Sequence, residues 1–192
     1  MSIVMKDSLY SIVPLHARPE LAKDCCALIN SEWPRSETAR LRTLNASCEE
    51  FPTCLILLKE KDVIGHCKIS LIPSLENSCF VQSVVIDNKC RTQGLGSMLM
   101  QGTEKYVKVK GIKKVYLMTQ GQEGFYLKNG YKIIEPVNIY GSPTFLSPVS
   151  NITNTENGKK EYLGPPPPPM PNQIRNTGLP IISSKTYMLK AL

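Results

Sequence analysis

Val81-Gln82-Ser83-Val84-Val85-Ile86-Asp87-Asn88-Lys89-Cys90-Arg91-Thr92-Gln93-Gly94-Leu95-Gly96-Ser97 joins a short apolar run to a glycine pair and then to a helical pattern. The run Phe80–Ile86 is nearly all apolar, which predicts a strand in the middle of a sheet. From Gly94 to about Lys110, Leu95, Leu99, Gly102 and Tyr106 fall on one stripe, which predicts a helix. Glycines in such a junction let successive backbone N–H groups face one anion. The helix start adds partial positive charge, and Arg91 adds a full one. That chemistry suits a pyrophosphate; the alternative is a tight strand-to-helix turn with no ligand. No Gly-Lys-Ser/Thr follows, so this is not a Walker loop, and Leu99 stands where a dinucleotide fingerprint needs its third glycine.

Working outward, Pro19–Asn30 predicts a helix, with proline suited to its first turn and Leu21, Cys25 and Leu28 on one face. Ser36 can cap a second, short helix ending near Leu44. Thr53–Lys59 and Val63–Ile72 predict two antiparallel strands. Lys114–Thr119 predicts a strand parallel to Phe80–Ile86 across a right-handed helical crossover. Glu123–Asn129 predicts a short helix stopped by Gly130, and Tyr131–Ile134 another strand. Nine of the fifteen prolines lie between Gly141 and Ile182. The expected organisation is a core over residues 1–140, a proline-rich loop over 141–182, and a final strand over 183–192.

The chain has 192 residues and a net charge of +7. That length suits one domain with its own core. No apolar run approaches the roughly 20 residues of a membrane helix. The first residues lack a basic stretch followed by an apolar one, so a cytoplasmic protein is expected. Seven cysteines without a C-x-x-C, and only two histidines, argue against a metal site. There is no aromatic-interleaved basic run, which argues against nucleic acid. Three of the six arginines, Arg35, Arg40 and Arg42, fall within eight residues. Arginine suits fixed contact with carboxylate or phosphate. Arg35 and Arg40 can converge on one groove, whereas Arg42 lies about 200° around the helix from Arg40.

The six residues Arg91-Thr92-Gln93-Gly94-Leu95-Gly96 form R-x-x-G-x-G after a central strand, and this resembles the coenzyme A loop of the GNAT acetyltransferase superfamily. Tyr116-Leu117-Met118-Thr119 and Gln122–Tyr131 are similar to that family's later strand-and-tyrosine motif. Asn30-Ser31-Glu32-Trp33-Pro34-Arg35-Ser36, Phe51-Pro52-Thr53-Cys54-Leu55 and the proline run Pro165–Pro169 narrow the resemblance to the actin N-terminal acetyltransferases within it. It covers nearly the whole chain from Arg18 and implies an α/β GNAT fold, with a mixed sheet of about six to seven strands flanked by about four helices.

The resemblance implies acetyl-CoA as cosubstrate and no metal. Val84, Val85 and Ile86 would hold the pantetheine arm along a splayed pair of strands. Arg91, Thr92, Gln93, Gly94, Leu95, Gly96 and Ser97 would hold the pyrophosphate, and Gln122 would touch the cofactor. Tyr126 would give a proton to the leaving thiolate, or else is a core aromatic paired with Phe125. Trp33 would line a peptide groove, with Arg35, Arg40, Leu41, Arg42 and Thr43 as further substrate contacts; alternatively Trp33 anchors a loop and the arginines are a solvated face. Gln82 stands where many relatives carry a glutamate that draws a proton from the amine, and strict alternation would place it on Val84's side of the strand. An α-amine of pKa about 7.7–8.0 is roughly one-fifth neutral near pH 7.2, so it asks little of a base, whereas a lysine at about 10.4 asks much.

The implied function is acetylation of the acidic N-terminus of processed actin by a cytoplasmic monomer, with no nucleic acid or membrane partner. Pro165–Pro169 would recruit profilin or profilin–actin as a polyproline helix, or is a bare linker. Two further readings stay open: a GNAT acting on a lysine or small amine, and a catalytically weak acetyl-CoA-binding adaptor working through the proline-rich loop.

Overall fold

Apolar β-branched and leucine-rich runs separated by polar turns pair into one sheet, and the intervening amphipathic segments cover its two faces. The computed structural model describes residues 9–139 and 185–192. Seven strands, β1 Tyr10–Pro14, β2 Thr53–Lys59, β3 Asp62–Leu71, β4 Ser78–Ile86, β5 Lys114–Thr119, β6 Lys132–Ile134 and β7 Thr186–Ala191, lie in the order β1-β2-β3-β4-β5-β7-β6. All neighbours are antiparallel except β4 and β5, which are parallel. The connection between those two is the helix α3 Leu95–Val109. Helices α1 Ala22–Glu32, α2 Glu37–Asn45 and α4 Glu123–Lys128 complete the set. The proline-rich segment expected over 141–182, including Pro165–Pro169, lies outside the described residues.

Two elements differ from expectation. The edge strand β1 is not expected from the sequence: it has five residues and ends on Pro14, which an edge tolerates because its missing N–H is not needed by a second neighbour. Ser36 does precede α2, but its side chain makes no capping bond; only its carbonyl is used, accepting from the Arg40 N–H.

The core is divided by the sheet. On one face, α3 packs Leu95, Leu99, Met100, Tyr106 and Val107 against Leu55, Leu57, Cys67, Ile69, Cys79 and Val81. Gly102 lets α3 sit close to β1: a Cβ on it would lie 2.2 Å from Ile12 Cδ1, so that side chain would have to shift. On the other face, α1 and α2 pack Cys25, Cys26, Leu28, Ile29 and Leu44 over Cys54, Ile56, Leu58 and Val85. A separate cluster on that face covers Phe80 and Tyr116 with Ile134, Val137 and Ile139.

Strand β4 breaks its own alternation. Its pairing with β3 slips between His66 and Lys68, and Ser83 adopts a left-handed φ of 54°. The extra residue at this bulge shifts the side-chain phase. Val81 and Val84 therefore both serve the α3 face, whereas Val85 packs under α1 and α2. Gln82, two residues after Phe80, lies on the α1/α2 face, opposite Val84. The bulge thus corrects the expectation that Gln82 and Val84 share a side.

Candidate active site

The parallel pairing of β4 with β5 ends at Val81↔Leu117. Beyond it both strands continue, so the edge of β4 from Gln82 to Ile86 that faces β5 has no strand partner. Unpaired backbone groups need a partner from elsewhere. This open V leads directly into the glycine loop. Gly94 has φ of 78° and caps α3; Thr92, unusually for a non-glycine residue, is also left-handed at 66°. Among the described residues no carbonyl accepts from the backbone N–H of Gln93, Gly94, Leu95, Gly96 or Ser97; the first bond of the helix start is Met98 N–H to Gly94 O, 3.1 Å. Four of these residues, Gly94 to Ser97, line the same cleft as Val84, Val85 and Ile86. Its volume is about 530 Å³.

The opposite wall comes from α4. Gln122, Phe125 and Tyr126 line the cleft. Tyr126 is 8% exposed and is held edge-on between Phe125 at 4.9 Å and Tyr131 at 5.7 Å between ring centres. Burial pushes its hydroxyl up to about 12, with the Cys67 thiol adding to the effect, so it stays a neutral phenol across the physiological range. Behind it, Lys190 donates to Glu104 at 2.6 Å and lies over the Tyr131 ring at 5.6 Å, fixing the backing of the tyrosine pair. Gly96 approaches this wall so closely that a Cβ would lie 3.1 Å from Phe125 Cζ.

An ion pair also lines the cleft. Arg91 donates from its side chain to the Ile86 carbonyl at 3.0 Å and to the Glu32 carboxylate at 2.7 Å. Its charge is thus already matched, and anion binding in the loop falls first to the free amides. Glu32 ends α1, and the next residue, Trp33, is 44% exposed and lines the cleft. Arg40 does not point a free charge into a groove as expected: its guanidinium donates to Asn30 Oδ1 at 3.1 Å and to the Trp33 carbonyl at 2.7 Å. Asn30 in turn donates to the Arg35 carbonyl at 3.0 Å. Arg40 is therefore the anchor of the Trp33–Arg35 turn.

An apolar cleft wall, unbonded loop amides and an unpaired strand edge suit a ligand with a diphosphate and an extended amide chain. Residues 19–131 match the model of the acetyltransferase (GNAT) family. The chain belongs to the GNAT acetyltransferase family. It is similar to mouse (Mus musculus) N-alpha-acetyltransferase 80, with 33% identity over 184 residues, covering 82% of this chain and 59% of that protein. The chain therefore spans about three-fifths of the length of this relative. Its fold is similar to a GNAT acetyltransferase from Streptococcus pneumoniae, with TM-score 0.59, 16% identity and coverage of 95% of this chain and 99% of that one. It is also similar to PaiA N-acetyltransferase from Thermoplasma acidophilum in complex with coenzyme A, with TM-score 0.56, 18% identity and coverage of 68% and 94%.

Within this GNAT chain the sequence-named residues divide. Val84, Val85, Ile86, Arg91, Thr92, Gly94, Leu95, Gly96, Ser97, Gln122, Tyr126 and Trp33 come together around one cleft. Gln93, Gln82, Arg35, Arg40, Leu41, Arg42 and Thr43 are not among its lining residues. Leu41 packs against the core under α2, Thr43 donates to the Ala39 carbonyl of its own helix at 3.1 Å, and Arg35 and Arg42 are exposed. Glu32, Cys90 and Phe125 line the cleft without having been singled out. Each adjoins a named residue, so adjacency was the only signal available.

One further polar group matters to the site. His66 on β3 is 1% exposed, and its Nδ1 lies 3.0 Å from the Ser83 carbonyl. The ladder cannot use that carbonyl at the bulge, so the imidazole N–H satisfies it. Burial lowers the His66 pKa to about 4 despite this bond, keeping the ring neutral.

Proposed function

We propose that this chain is an acetyl-CoA-dependent N-terminal acetyltransferase whose substrate is the acidic N-terminus of processed actin. The observation that carries the transferase reading is the continuity of the unpaired β4 edge, the unbonded amides of Gly94–Ser97 and Tyr126 around one cleft. The amides would hold the pyrophosphate, and the backbone of Val84–Ile86 the two amides of the pantetheine arm. The amine attacks the thioester carbonyl, the carbon–sulfur bond breaks, and the Tyr126 hydroxyl donates a hydrogen bond to the departing thiolate. The amine loses its proton to water or to a relay, which an α-amine of pKa about 7.7–8.0 permits.

The choice of an α-amine is supported by the similarity to N-alpha-acetyltransferase 80. The choice of actin rests on the resemblance carried by Trp33-Pro34-Arg35-Ser36. In this reading the protein works in the cytoplasm as a monomer, and Pro165–Pro169 brings profilin–actin to the site. The test is mass spectrometry of products from purified chain, acetyl-CoA and peptides beginning with consecutive acidic residues. Acetylation at the α-amine is expected. Transfer to an internal lysine alone, or no transfer despite acetyl-CoA binding, overturns the proposal.

A further inference from the structure

Registered residues place the half-buried Lys68 on the α1/α2 face, beside the part that those helices cover. Cys54 on β2, Lys68 on β3 and Gln82 on β4 are successive partners across the sheet and so share a face. Toward one end of that face, α1 and α2 cover Cys54, Ile56 and Val85. Toward the other, Ile134, Val137 and Ile139 cover Phe80 and Tyr116. The Lys68–Gln82 rung lies between these two apolar covers, a polar strip flanked by packed walls.

The strip is electrically one-sided. Lys68 is partly buried and forms no ion pair or side-chain hydrogen bond among the described residues. Arg40 and Lys68 both act on the buried His66 as positive charges, and His66 itself is neutral. Among the described residues, the Arg40 guanidinium donates to neutral oxygens, those of Asn30 and the Trp33 carbonyl. With no carboxylate paired to it among the described residues, the half-buried Lys68 ammonium is available to an anionic group of a ligand. Gln82 lies two residues before Val84, whose backbone would hold the thioester arm, so the rung adjoins the reacting end across the Ser83 bulge. That is within reach of a side chain on the first or second residue of a peptide whose α-amine is at the thioester.

The geometry points to Lys68 as the residue that reads the acidic side chain of the peptide substrate, with Gln82 beside it to donate a second hydrogen bond to the same carboxylate. The assignment deepens the proposed function and rests on it. It moves the main charge contact from the arginine cluster of α2 to the middle of the sheet.

The test compares kcat/KM of the full chain, with saturating acetyl-CoA, on two peptides that differ only by Asp-Asp or Asn-Asn at the first two positions. Lys68→Gln should lose about ten- to a hundredfold on the acidic peptide, the range of a lost charge-assisted bond, and less than about threefold on the amide peptide. Lys68→Arg should keep the acidic preference, and Lys68→Glu should reverse it. Thermal melts check that each variant folds. Equal losses on both peptides, or no loss on either, overturn the Lys68 assignment and leave the transferase reading standing. If the parent chain acetylates neither peptide, the proposed function falls and the assignment falls with it.

Discussion

Substituting alanine at Gly94 and at Gly96 separates two different reasons for glycine in the same loop. At Gly94 the demand is conformational: φ is 78°, and an added Cβ would meet nothing within 4 Å. A left-handed non-glycine residue costs about 1–2 kcal/mol. For a chain of this size that is a fall in Tm of roughly 2–8 °C. The loop amides keep their direction if the backbone holds, so acetyl-CoA affinity should change little. At Gly96 the demand is steric. Its φ lies outside the left-handed range, but the Cβ would stand 3.1 and 3.2 Å from Phe125 Cζ and Cε2. The ring must yield by a few tenths of an ångström. Phe125 lines the cleft and packs edge-on against Tyr126 at 4.9 Å, so the strain falls on the catalytic wall. Overpacking of this kind costs about 1–3 kcal/mol. Expressed in binding, that is roughly a 5- to 150-fold loss. Gly94→Ala should therefore lower Tm more than affinity, and Gly96→Ala should lower acetyl-CoA affinity and turnover more than Tm. Calorimetric titration with acetyl-CoA and a thermal melt of each variant read both quantities. Wild-type affinity and turnover in Gly96→Ala would refute the reasoning, as would identical profiles for the two variants.

Tyr126→Phe should reduce kcat by about 10²–10⁴-fold with little change in the KM for acetyl-CoA, as expected for a lost proton or hydrogen-bond donor; because burial holds this phenol at about 12, no fall in parent activity up to pH 10 should trace to it, and a fall that Tyr126→Phe abolishes would contradict this. His66 has a depressed folded pKa of about 4 against about 6.5 when unfolded, so the unfolded chain binds the extra proton and stability is lost as pH falls from 6.5 to 4, by about 3 kcal/mol. His66→Asn, which can still donate to Ser83, should flatten that part of the pH profile in urea melts, and parallel profiles for parent and variant would exclude His66 as the source. Deleting Pro165–Pro169 should slow acetylation of actin presented on profilin and leave short peptides unaffected; matched effects on both substrates would remove the profilin proposal.

The sequence by itself determined the order of elements after β1, the central strand, the left-handed stop at Gly130 and the glycine loop. These depend on local pattern: period-2 and period-3.6 burial, and backbone conformations that only glycine adopts freely. Tertiary structure alone decided which side chains are available for chemistry. One inserted residue at Ser83 put Val84 on the face opposite Gln82, because a bulge is defined by pairing with another strand and leaves no mark in its own segment. Arg40 and Arg91 looked like free cations in the sequence, yet both are held by groups far along the chain or in another element: Asn30 and the Trp33 carbonyl for one, Glu32 for the other. Lys68 carries no signal of its own in the sequence beyond lying within the strand expected over Val63–Ile72. It stands out only once the sheet sets Gln82 beside it and no carboxylate among the described residues pairs with it, since charge compensation is a property of distances in space and not of spacing along the chain.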